Sequence, residues 1–211
     1  MRCAADSGTR WSAHAVRRRG RRGTVNRVLG PEEFDKIEFQ AARTGNHVRA
    51  AMRMTELART AAEMRAGEAD GGMSRAEAHL RAGEQWLMAD DPEAAAAEFA
   101  RAIADGGQTF ADPRVYLARA LQGLGRQPEA DQLLSELTAN RSGLNPRTCD
   151  LLAELYTDSG DLITALDWTN TGVERCLRGE DGAELLLLLR LRFRIRNDLG
   201  LDEDDYDRML R

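Results

Sequence analysis

Cysteine, aromatic residues, lysine and long apolar runs are all scarce in this chain of 211 residues. The cysteines Cys3, Cys149 and Cys176 are too scattered for a disulfide framework or a zinc site. Aromatics make up 5% of the residues, which argues against a β-sandwich. The longest apolar run, Leu185–Leu189, is five residues, far short of the roughly 20 a bilayer-spanning helix needs. Lys36 is the single lysine among 30 basic residues. That skew has no folding reason and reads as codon usage in a GC-rich genome. The signatures of common catalysts are missing too: there is no G-x-x-x-x-G-K-[ST] loop, no G-x-S-x-G and no H-E-x-x-H. His14, His47 and His79 have no His or Cys partner at ligand spacing. His79 reads either as a general base or ligand, or as a packed or surface histidine. Cys149 and Cys176 read as small apolar residues. The acidic stretch Asp202-Glu203-Asp204-Asp205 lacks the alternating ligands and central glycine of a calcium loop. No catalytic residue, cofactor or metal site is expected.

What is present favours helix. Apolar residues make up 42% and charged residues 31%, enough for a packed core in one domain with tails. The net charge of −5 is unevenly spread. Residues 1–30 carry eight arginines against Asp6, a charge of +7 that leaves −12 for the rest. Arg17-Arg18-Arg19-Gly20-Arg21-Arg22 has no hydrophobic periodicity around it. It reads as a disordered basic tail, or as sequence upstream of a later start; Met73, just before the first repeat, is an alternative start. The functional reading is a nucleic-acid-binding arm, since clustered arginine displaces phosphate counterions. A secretory or twin-arginine signal is poorly supported, because no apolar segment follows the arginines.

Internal repetition is the strongest signal. With a period of 35 residues, Gly83, Ala118 and Ala153 align, as do Trp86, Leu121 and Tyr156; Asp90, Gly125 and Gly160; and Ala95, Ala130 and Ala165. The first column puts a small residue one turn before a large one, so that a neighbouring helix can approach. Asp90-Asp91-Pro92, Gly125-Arg126-Gln127-Pro128 and Gly160-Asp161 are turn chemistry between two helices. Pro92 and Pro128 suit the first turn of the second helix. Ala95-x-x-x-Phe99 and Ala130-x-x-x-Leu134 place a second small–large pair on one face. Ser74-x-x-Glu77 predicts a capping box.

This pattern resembles the tetratricopeptide repeat, a helix–turn–helix unit of about 34 residues with G-x-x-Y and A-x-x-x-F signatures. The third repeat departs at Thr169 and Gly172, where a large and a small residue are expected, and Trp168 is expected to supply the missing bulk. The resemblance implies an all-α fold of helix–turn–helix repeats stacked in a right-handed superhelix. It divides the chain into a basic tail (1–30), a helical segment and linker (31–72), three repeats (73–178) and capping helices (179–211). Residues 31–66 are expected to be helical, interrupted at Gly45-Asn46, with Phe34, Ile37, Phe39, Ala41, Ala42, Val48, Ala51, Met52, Leu57 and Ala61 buried. Ala183–Leu199 reads as a buried helix although Leu191–Arg196 alternates with period two. Leu185, Leu188, Leu189 and Arg192 are expected on or beside one face, with Leu186 and Phe193 extending it. Asp202 is expected to cap a last short helix. The end of the chain is also similar to small tetratricopeptide proteins of high-GC Gram-positive bacteria. Some of these carry a zinc motif like that of the SecA tail, which is absent here.

In tetratricopeptide stacks the first helix of each repeat lines a concave surface that holds a peptide. The alignment places Glu77, Leu80, Glu84 and Leu87, then Asp112, Tyr116 and Arg119, then Arg147, Asp150, Glu154 and Asp158 on that surface. Six of these are acidic and two basic, a groove charge of −4. Family members that clamp a C-terminal carboxylate use Lys, Asn and Arg at places held here by Leu80, Glu84, Tyr116, Arg147 and Leu151, of which only Arg147 fits. The resemblance therefore implies a non-catalytic, cytoplasmic protein–protein interaction scaffold, its groove suited to a basic or amphipathic peptide. The competing expectation is an accessory nucleic-acid binder acting through the arginine arm.

Overall fold

The computed structural model describes residues 30–60, 72–179 and 182–211. Among these residues there are ten α-helices, one 3-10 turn at Arg141–Gly143, and no strand. The helices are α1 (Pro31–Thr44), α2 (His47–Thr60), α3 (Arg75–Met88), α4 (Pro92–Asp105), α5 (Pro113–Gly123), α6 (Gln127–Ala139), α7 (Pro146–Asp158), α8 (Leu162–Gly179), α9 (Gly182–Asp198) and α10 (Asp205–Arg208). None of the described helices is long and apolar enough to cross a membrane. The arginine run and residues 61–71, including Ala61, lie outside the described residues.

Local chemistry sets the helix starts. Ser74, Asp91, Asp112 and Asn145 each accept a first-turn backbone N–H through the side chain, and proline opens α4, α5 and α7. The expected capping box at α3 is half formed. Ser74 accepts from the Glu77 N–H, but the Glu77 carboxylate turns away and accepts the Phe110 N–H at 3.0 Å.

The helix ends repeat with the aligned columns. Asp90, Gly125 and Gly160 adopt φ of 59°, 72° and 83°. The residue after each donates to the carbonyl of Trp86, Leu121 and Tyr156, at 3.0, 2.8 and 2.9 Å. This is the Schellman closure of a helix. The same following residue then accepts the N–H of Ala95, Ala130 or Ala165, opening the next helix. Three turns at equal sequence spacing thus share one hydrogen-bond pattern.

Packing follows from the small columns. Ala118, Ala153, Ala95, Ala130 and Ala165 are fully buried in one core that runs from α3 to α9. Each of α3–α4, α5–α6 and α7–α8 packs as a pair, and the odd-numbered helices α3, α5, α7 and α9 also touch in succession. In the third pair, Trp168 is buried and Arg141 lies 4.4 Å over its ring. Gly172 is not a misplaced small residue. A Cβ there would meet the Leu188 methyls at 2.7 Å, so the glycine admits α9 against α8.

The flanks correct several expectations. Phe34, Ala41, Ala51 and Leu57 are buried, but Phe39 (66% exposed), Met52 (61%), Val48 and Ala42 face outward. The α1–α2 pair ends the described stack, so only the stripe turned toward its neighbours is covered. In α9 the buried stripe is Leu188, Leu191, Arg192 and Ile195, with Leu189 beside it. Leu186 and Phe193 are exposed rather than extending that face. The cap of α10 is Asp204, not Asp202: Asp204 accepts from Tyr206 and Asp207, and Asp207 returns the bond to the Asp204 N–H.

Candidate binding groove

The odd-numbered helices bring most of the expected groove positions together. Glu77 and Glu84 come from α3, Tyr116 and Arg119 from α5, and Arg147, Asp150, Glu154 and Asp158 from α7. Arg147 donates to Asp150 at 2.7 Å. Arg119 reaches Asp158 at 3.2 Å and Glu154 at 3.8 Å, tying α5 to α7.

Tyr116 (5% exposed) and Asp150 (3%) are buried, and two further expected positions do not face a groove. Leu80 is 0% exposed and lies in the α3–α9 core. Asp112 sits at the start of α5, where its carboxylate caps the helix and pairs with Arg114 at 2.6 Å. Leu87 is half-buried and packs mainly on the core. The alignment fixed the helix but not the rotation of each side chain within about one turn, which is the margin separating core from surface.

The electrostatics at the centre are unusual for a solvated face. Burial pushes the Glu84 carboxyl up to about 7, opposed by Tyr116, with Glu38 and Glu77 adding like-charge repulsion. Burial also raises Glu77, and it raises Asp150 to about 6 with Glu154 contributing. The Tyr116 ring is held by Phe99 at 5.3 Å and edge-on by Phe110 at 6.2 Å. Its hydroxyl is buried against Glu84, with the Glu77 and Arg147 charges nearby. Desolvation, then the Glu84 charge, lifts the phenol above its ordinary value.

Several groove residues were not visible in the sequence. Glu38 comes from α1 and is held by Arg81 of α3, whose Nε donates to it at 2.7 Å. At the other end α9 turns Leu187, Arg190, Leu191 and Arg194 toward Arg147, Asp150 and Glu154 around a cavity of about 240 Å³. The added arginines offset the acidic balance there. Their spacing of four along α9 was the available signal, but α9 reads in sequence only as a cap.

His79 pairs through Nδ1 with Glu98 at 2.7 Å, and Glu98 also meets Arg101, a buried link between α3 and α4. Cys149 and Cys176 are buried, and desolvation pushes the Cys149 thiol up to about 11, away from nucleophilic use. Among the described residues no group of three His, Cys, Asp or Glu could hold a metal. Comparison of the chain with protein-family models, with curated proteins and with solved structures gave no match.

Proposed function

We propose that this protein is a non-catalytic interaction scaffold whose odd-numbered helices grip a basic segment of a partner protein. The observation that carries this reading is the carboxylate set of Glu77 and Glu84 on α3, beside Tyr116, and Asp150 and Glu154 on α7, with Arg147 between the two pairs and all four kept partly out of water. Such a surface gains more from a cation than an exposed acidic face does, because its charges repel one another at low local dielectric. The helix pairs are read as tetratricopeptide-type repeats in a right-handed superhelix, supported by the turn geometry shared at three aligned positions. A bacterial, cytoplasmic setting accords with the arginine skew and the resemblance in sequence.

Fluorescence anisotropy with the full chain tests this. A labelled arginine- and leucine-containing peptide should bind, with affinity falling as salt rises. The same peptide with glutamate in place of arginine should not bind. Equal binding of both would remove the acidic groove as the recognition surface. The second reading, nucleic-acid binding through residues 1–30, rests on their charge of +7. Removing them should abolish any salt-sensitive nucleic-acid binding and leave peptide binding intact.

A further inference from the structure

The arginines of α9 fall on two sides of the helix. Arg192 and Arg196 turn toward α10 and are engaged with Asp204 and Asp207. Arg190 and Arg194, one turn apart, line the cavity of about 240 Å³ between α9 and α7. Both are exposed, and among the described residues neither closes an ion pair or a hydrogen bond. Like charges four apart on a helix repel, so an anion set between them is stabilising.

The other charges of the cavity are already answered. Arg147 donates to Asp150 at 2.7 Å, and Glu154 faces Arg119 at 3.8 Å. Asp150 is 3% exposed, which keeps its carboxylate from meeting an incoming cation directly. Leu191, also buried, gives the cavity an apolar wall one residue from Arg190. The free hydrogen-bonding capacity that remains is the guanidinium N–H groups of Arg190 and Arg194, which only donate.

We infer that Arg190 and Arg194 form the seat for one acidic side chain, glutamate or aspartate, of the partner segment. A carboxylate suits the seat because it is planar and takes paired N–H donors from a guanidinium fork. It also carries a single charge. A phosphate, with nearly twice that charge, is repelled more strongly by Asp150 and Glu154 across the same cavity. The seat continues the groove, since α3, α5, α7 and α9 touch in succession. Packed helices lie about 8–10 Å apart, so the α3 carboxylates and this cavity are about 20–25 Å apart. An extended chain covers that span in about seven residues. The inference rests on the scaffold reading above and adds a polarity to it: the segment lays its base toward α3 and its acid toward α9.

The test is fluorescence anisotropy on the full chain. Labelled leucine-containing peptides carry one arginine and one glutamate about seven residues apart, in either chain order. In the order that binds tighter, glutamine in place of glutamate should cost about tenfold. Arg190→Gln and Arg194→Gln should each remove most of that preference. Circular dichroism should be unchanged in both, because the two side chains are exposed. Arg59→Gln, an exposed arginine on α2, should leave the preference intact. Arg194→Glu should favour lysine over glutamate at the same peptide position. Equal binding of the glutamate and glutamine peptides by wild type overturns the seat; the acidic groove still stands if replacing the arginine abolishes binding. A loss in Arg59→Gln as large as in Arg190→Gln assigns the preference to net charge and also overturns the seat. Tighter binding of phosphoserine than of glutamate overturns the carboxylate assignment. If peptides without arginine bind as tightly and keep the glutamate preference, the seat stands and the acidic groove falls.

Discussion

Single residues in this protein are constrained chiefly by close approach. A Cβ on Gly83 would fall inside the edge of the Phe99 ring, which is buried and packed on Tyr116 and so has nowhere to turn. Gly83→Ala should therefore destabilise the fold by about 1–3 kcal/mol, the usual cost of overpacking, measured as a lower urea midpoint at unchanged slope. The aligned Ala118 and Ala153 already carry that Cβ, because the first repeat alone sets a phenylalanine ring against this position. The column was legible as "small" in the sequence; that only glycine serves at its first position was not, since it depends on where Phe99 lies.

Among the elements, α9 and α10 depart most from the sequence reading. Arg192, expected on or beside the apolar face, is buried. Its Nη1 donates to Asp207 at 2.9 Å, its Nε to Asn170 at 2.7 Å, and its Nη2 to Asp204 at 2.5 Å, with the guanidinium 5.0 Å over the Tyr206 ring. Arg196 bonds the other Asp207 oxygen at 2.9 Å. A buried charge network is costly to break, because the partner left behind stays desolvated. Arg192→Ala should lower the free energy of unfolding by about 3–5 kcal/mol. The exposed pair Arg211–Glu203 should be worth less than about 1 kcal/mol when broken. Urea denaturation of both variants separates the cases. Helical spacing placed Arg192 on or beside the apolar face, but not its ion partners. Its burial follows from the short chain return through Gly200, which folds Asp204 and Asp207 back onto α9.

For the whole molecule, pH sets two opposed trends. Burial raises Glu84 from its ordinary value to about 7, so its protonated form favours the fold and that contribution is lost as pH rises through about 7. Its size is on the order of 3 kcal/mol. Hydrogen bonding to Arg192 holds Asp204 well below the ordinary carboxylate range. That contribution is present above about pH 4 and is lost as pH falls below it. Thermal unfolding should thus find maximal stability near pH 4, with a decline that runs to about pH 7 and levels above it. Burial also raises Asp150, to about 6, so Glu84→Gln should reduce that decline, most of all between about pH 6 and 7, and leave the acid limb unchanged. An unchanged decline in Glu84→Gln would locate it elsewhere.

By itself, the sequence determined the helical class, the period of the repeats and the chemistry of their turns. These are local matters: a left-handed residue, a proline in a first turn and a small–large spacing act over a few residues wherever the chain goes. It also marked α3, α5 and α7 as the helices to inspect. Only the tertiary structure decided which side chains share a surface. Leu80 left the expected groove for the core, Asp112 became a cap, and Glu38, Arg190 and Arg194 joined from helices outside the aligned repeats. The buried hydroxyl of Tyr116 among carboxylates has no sequence signature at all, because desolvation depends on what covers a residue, and the covering groups lie tens of positions away along the chain.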